Sequence, residues 1–139
     1  MPRYFKNLKL YQNVDFLEVC MKDSRDITPI ELKSILHAIE KSECKKIIIT
    51  HGTYTMPDTA RYIEANLKNN NKTIILTGSM IPLDGFTLSD GGFNLGYAMS
   101  QLEILEPGVY LAMNGKVFTP GETMKITKEG RFSSIFNTV

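Results

Sequence analysis

The run Lys46-Ile47-Ile48-Ile49-Thr50 passes without a break into His51-Gly52-Thr53-Tyr54-Thr55-Met56, and that junction limits the folds open to the chain. β-Branched apolar residues that end in glycine and hydroxyl side chains read as a buried strand delivering Thr53 to its carboxyl end. Thr55, Pro57 and Asp58 then supply a cap, a first-turn proline and a first-turn acid, the marks of a helix start. Open α/β sheets bind ligands where strands hand over to helices, so Thr53 stands where a functional hydroxyl would stand. Tyr54 is its immediate neighbour.

The same strand-then-helix rhythm runs through the chain. Asp15–Met21 reads as a strand, and Thr28, Pro29 and Glu31 form a capping-box start for a helix with Leu32, Ile35, Leu36 and Ile39 on one face. The helix after Thr55 turns Ala60, Ile63 and Leu67 inward and ends at Asn69-Asn70-Asn71. Thr73–Thr77 is a strand ending in Gly78-Ser79. A loop with Pro82, Asp84 and Gly85 leads to Ser89-Asp90-Gly91-Gly92 and a helix with Phe93, Leu95, Ala98, Met99 and Leu102. Val109–Met113 is a fourth strand, followed by the tight-turn pair Asn114-Gly115 and Lys116-Val117-Phe118. Beyond Gly121 the chain predicts irregular structure or a small edge hairpin. Tyr4–Tyr11 is too polar for a central strand and predicts a short helix or surface arm. Together these elements predict one domain over residues 1–139, a three-layer α/β/α sandwich on a mostly parallel sheet.

Sixteen basic and fifteen acidic residues in 139, without a block of one sign, argue against nucleic acid or an anionic membrane as partner. No apolar run approaches the roughly 18 residues needed to span a bilayer, and no signal core follows the basic N-terminus, so the cytoplasm is the expected compartment. Cys20 and Cys44 lack metal-ligand spacing and read as buried, reduced packing residues. Lys68, Lys72, Lys116 and Lys128 read as solvated surface, and His51 as a hydrogen-bonded core histidine. No phosphate loop, dinucleotide fingerprint or metal-ligand cluster is present, so neither metal nor organic cofactor is expected.

In a parallel sheet Asp23-Ser24, Thr53-Tyr54, Gly78-Ser79 and, after the last hairpin, Lys125 share one rim, a cradle for a small carboxylate-bearing ligand. His51-Gly52-Thr53-x-Thr55-Met56-x-x-Thr59-Ala60, Thr77-Gly78-Ser79-Met80-x-Pro82, Ser89-Asp90-Gly91-x-Phe93-Asn94-Leu95 and Gly108-Val109-Tyr110-Leu111-Ala112-Met113-Asn114 closely resemble the bacterial-type L-asparaginase family, which includes glutaminase-asparaginases. Asp23-Ser24-x-Asp26-Ile27-Thr28 resembles that family's substrate-carboxylate segment.

The resemblance implies an asparaginase N-terminal-domain fold and hydrolysis of L-asparagine to L-aspartate and ammonia. L-Glutamine or L-aspartate are further ligands, and a homo-oligomer is the expected assembly. It also implies roles: Ser24, with Asp23, on the α-carboxylate; Thr53, next to Gly52, as catalytic threonine with Lys125 acting on it; Ser79, next to Gly78, on the amide side. Asp90 resembles a structural position. Three departures accompany the likeness. The family's first Thr-Gly-Gly-Thr block and its strand have no counterpart here; Tyr54 replaces an aspartate; and the family's C-terminal domain would begin about where this chain stops.

A threonine hydroxyl needs a base to become a nucleophile, and a neutral phenol gives a neighbouring lysine no counter-charge. Turnover by this chain alone is therefore expected to be weak or absent. The alternatives are a non-catalytic domain that binds a small amino acid, a folded remnant of a truncated gene, or an amidotransferase subunit. An absent first strand would leave open sheet edges, so strand exchange between copies is a further expectation.

Overall fold

The computed structural model describes residues 2–83 and 88–136, so Asp84 and Gly85 of the expected loop lie outside the described residues. Three parallel strands, β1 (Lys46–Thr50), β2 (Thr73–Thr77) and β3 (Gly108–Met113), pair side by side, and β4 (Lys116–Phe118) closes antiparallel on β3. The β3–β4 turn is Asn114-Gly115, both at positive φ (56° and 74°), which is why this dipeptide and not a branched one joins the strands.

Each crossover between parallel strands is a helix. α2 (Pro29–Lys41) and α3 (Met56–Asn66) cover one face of the sheet. Ile35, Ile39, Met56, Ala60 and Ile63 are buried there against Ile74, Leu76, Leu111 and Met113. α4 (Gly91–Gln101) covers the other face, where Ala98 meets Ile75 and Ala112. The three-layer sandwich with its mostly parallel sheet is as expected. The capping box of α2 is formed as the spacing requires: Thr28 Oγ1 accepts from the Ile30 amide and Glu31 accepts from the Thr28 amide at 2.8 Å. Glu31 also pairs with Lys22, and these contacts hold its carboxyl down to about 2.

β2 is buried along its whole length because strands flank it and helices cover it. β1, expected to be buried, is only half-buried: it is an edge strand whose outer side meets no strand among the described residues. The segment Asp15–Met21, expected as a strand, belongs to none. Its composition is strand-like, but a strand exists only through a partner, and Phe16, Leu17 and Met21 remain exposed. Instead α1 (Pro2–Leu8), the expected short helix, sets Phe5 edge-on to Phe16 with ring centroids 5.1 Å apart. The C-terminal part forms the small hairpin β5 (Thr123–Ile126) and β6 (Arg131–Ser134), a separate two-stranded sheet.

Two expectations about burial are corrected. Cys44 is exposed and Cys20 partly so, because the first flanks the edge strand and the second lies in the unpaired segment. Lys72 is 7% exposed, not solvated: its ammonium donates to the carbonyls of Ile39 (2.6 Å) and Ser42 at the C-terminal end of α2, where a cation meets unpaired helix carbonyls.

Candidate functional site

Thr53 follows β1 directly and Lys125 lies on β5, 72 positions later, yet the fold brings them into contact. Lys125 Nζ donates to Thr53 Oγ1 at 2.8 Å. Three elements fix this meeting. Arg61 on α3 donates to the Thr123 carbonyl at 2.7 Å, Asn114 Oδ1 accepts from the Phe132 amide at 3.1 Å, and Thr123 Oγ1 donates to the Thr119 carbonyl at 2.5 Å. The hairpin is thereby tied both to α3 and to the β3–β4 turn.

Tyr54 is 61% exposed and lies between two cations. The Lys125 ammonium is 5.4 Å from its ring centroid and the Arg25 guanidinium 5.6 Å. Arg25 is held there by a two-pronged pair with Asp23, at 3.0 and 2.8 Å. These bonds, with the Arg25 amide, draw the Asp23 carboxyl down to about 2. Ser24 is buried behind Gly52, so close that a Cβ on Gly52 would lie 2.8 Å from the Ser24 Cβ and Oγ. Thr55, read as a helix cap, makes no side-chain cap bond; its hydroxyl donates to the Ser24 carbonyl at 2.7 Å and joins the two segments instead.

His51 is the hydrogen-bonded histidine anticipated from its place at a strand end. Its Nδ1–H donates to the Gly52 carbonyl at 2.7 Å, so the neutral tautomer leaves Nε2 to accept from the Thr59 hydroxyl at 2.9 Å. Burial holds the imidazole below its ordinary value, with the Gly52 carbonyl pulling weakly the other way. With its lone pair engaged by Thr59, His51 does not serve as a base for Thr53.

Gly78 and Ser79 follow β2. Asp90 and Asn94, at the start of α4, hold that corner. The Asp90 carboxylate accepts from the amides of Met80 and Ile81 at 3.0 Å, and Asn94 Nδ2 donates to the Gly78 carbonyl at 2.9 Å. Asp90 is thus structural, as its position resembled. Gly52, Gly78 and Ser79 line an open groove of about 500 Å³ together with Cys20, Met21 and Lys22. The groove opens along the unpaired segment before Ser24.

The structure therefore brings Asp23, Ser24, Thr53, Tyr54 and Lys125 together, with Gly52 as the link to Gly78 and Ser79 in the groove. Sequence reasoning missed Arg25 over Tyr54 and the Asn94 bridge. The second had a signal: Asp90 and Asn94 are one helical turn apart at a helix start, where paired polar groups face inward only for a reason. Chemically, an ammonium donating to Thr53 orients the hydroxyl but takes no proton from it. Among the described residues, no three His, Cys, Asp or Glu side chains are grouped to hold a metal.

A family model described as asparaginase, N-terminal, matches residues 2–135. Similar curated proteins include one named glutaminase-asparaginase from Acinetobacter glutaminasificans, 31% identical over 81% of this chain and 36% of that protein. L-Asparaginase 1 from Escherichia coli strain K12 is 34% identical over 79% of this chain and 33% of its own length. Among solved structures, a probable cytoplasmic L-asparaginase from Campylobacter jejuni matches with a TM-score of 0.80 at 26% identity, over 88% of this chain and 41% of that one. The thermostable L-asparaginase from Thermococcus kodakarensis matches with a TM-score of 0.76 at 30% identity, over 82% and 36%. The chain spans about a third of the length of the curated relatives it matches.

Proposed function

The chain belongs to the asparaginase family, and we propose that it supplies the threonine–lysine part of an amide-cleaving site for a small amino acid. The reaction is hydrolysis of L-asparagine to L-aspartate and ammonia, with L-glutamine as second substrate. Ser24 and Asp23 serve the α-carboxylate end, and Gly52, Gly78 and Ser79 line the amide end. The observation that carries this reading is the 2.8 Å bond from Lys125 to Thr53 across the fold. Tyr54, where the family pattern has aspartate, limits it: the phenol supplies no carboxylate to pair with the lysine or to relay a proton. The chain alone is therefore expected to release ammonia from asparagine slowly or not at all.

Ammonia release by the purified chain tests this directly. Tyr54→Asp should raise the rate by roughly a hundredfold or more, the low end of what one positioned proton-transfer group contributes. In that background Thr53→Ala should abolish it. Turnover that survives Thr53→Ala would sink the assignment. A second reading, a binding domain without turnover, is favoured by Lys125 acting as donor and not acceptor toward Thr53; a thermal shift with L-aspartate, without turnover, would select it.

The same proposal takes residues 1–139 as one domain, places it in the cytoplasm, and makes it a homo-oligomer. Among the described residues no helix is long and apolar enough to cross a membrane. Its assembly is strand exchange at the open edge of β1, with the exposed Phe16, Leu17, Val19 and Met21 of the unpaired segment as the apolar surface it covers. Light scattering should report a dimer that Leu17→Lys with Val19→Lys converts to monomer; a parent chain that is monomeric at high concentration would exclude it.

A further inference from the structure

We infer that this site, on the reading that Thr53 and Lys125 bind the ligand, takes a small dicarboxylate in preference to the matching side-chain amide. A lysine ammonium has three N–H donors. One goes to Thr53 Oγ1, and Lys125 appears in none of the five ion pairs found among the described residues. Arg25, the other cation on the Tyr54 ring, is already neutralised by Asp23. The positive charge of Lys125 is therefore the one cationic charge at Thr53 and Tyr54 without a carboxylate partner among the described residues.

Tyr54 does not cancel that charge. An aromatic face attracts a cation through its quadrupole, but it carries no net charge and leaves the ammonium's remaining donors free for a ligand. The aspartate of the family pattern at this position would cancel it and repel a ligand carboxylate. Among the described residues the adjoining groove contributes no acid either: its lining includes Lys22, Thr50, Gly52, Gly78 and Ser79 and no carboxylate. A ligand carboxylate meets Lys125 with a full charge and two acceptor oxygens, whereas an amide offers one carbonyl dipole. The acid formed by amide cleavage is the better ligand, so product would hold the site against substrate.

Two matched pairs isolate the effect: L-aspartate against L-asparagine, and succinate against succinamate, titrated calorimetrically into the full chain at pH 7 and low salt. The acid should bind tighter than its amide in both pairs by roughly tenfold or more, 1.4 kcal/mol per tenfold. Lys125→Met should bring each pair together, Lys125→Arg should keep the gap, and Lys128→Met, on the exposed turn, should leave it unchanged. Tyr54→Asp should close or reverse it. Far-UV circular dichroism checks that each variant folds. If acid and amide bind equally, or the amide tighter, and Lys125→Met weakens both, the binding site stands and the preference is wrong. If none of the four ligands binds the parent chain, the site and the preference fall together.

Discussion

Replacing Gly78 by alanine is expected to lower the unfolding free energy by about 3 kcal/mol, toward the upper end of what overpacking a closed interior costs. A Cβ there would lie 2.2 Å from the His51 carbonyl oxygen and 2.9 Å from the Met56 Cε. The methionine end can swing away; the carbonyl cannot. His51 continues the β1–β2 ladder, its amide donating to the Thr77 carbonyl at 2.9 Å, so moving its backbone breaks the sheet at the end that carries Thr53. Urea unfolding should show a lower midpoint with an unchanged slope, and the melting temperature should drop by about 10 °C. Gly96→Ala is the internal control. Gly96 sits exposed inside α4 with open space around it, so alanine there should stabilise by about 1 kcal/mol through helix propensity. Equal effects at the two glycines would show that the close approach of the β1 and β2 ends is not what Gly78 serves.

Gly78 also marks the boundary between what was legible in the sequence and what was not. The strand Thr73–Thr77 was legible to the residue because five β-prone residues between polar turns admit few other readings. So was the start of α2, since the capping box is a contact between Thr28 and Glu31 only three positions apart. Local chemistry failed where a residue's state depends on a distant partner. Asp15–Met21 has strand composition but no strand to pair with among the described residues. Lys72 looks like surface until the end of α2 is folded over it, and Thr55 looks like a cap until Ser24 arrives to take its hydroxyl. The parallel-sheet reading put Lys125 on the rim that carries Thr53, but the pairing of the two came from the resemblance. No periodicity links residues 72 positions apart, and the contact depends on the hairpin being tied back to α3. Arg25 over Tyr54 was out of reach for a similar reason: the pair is set by the two-pronged grip of Asp23, visible only in three dimensions.

Replacing the fully buried Asn94 should be as costly as Gly78→Ala and should act on the Lys125 hairpin. Its side chain is a bridge: Nδ2 donates to the Gly78 carbonyl and to Asp90, both at 2.9 Å, while Oδ1 accepts from the Asn114 amide at 3.0 Å. Asn114 in turn accepts from Phe132, which stands opposite Lys125 in the hairpin register. Asn94→Leu keeps the branch at Cγ but strands these partners, for an expected loss of about 3 kcal/mol, as each unsatisfied buried group costs about 1–3. Asn94→Asp keeps the acceptor for Asn114 but sets a second carboxylate against Asp90 and the Gly78 carbonyl. Burial and like charge raise the introduced group's folded-state value above its unfolded one of about 3.9. The charge penalty is therefore absent below about pH 4 and grows as the pH rises through the folded-state value, so Asn94→Asp should be closest to the parent in acid and worst at neutral pH. Urea unfolding at pH 4 and 7 measures this. Native-state hydrogen exchange should show the Asn114 and Phe132 amides loosening before those of β2, because the bridge and not the sheet has been cut. A deficit that is the same at both pH values would mean that the introduced group is not facing Asp90, and exchange that quickens uniformly would mean that Asn94 supports the whole domain and not the hairpin that presents Lys125.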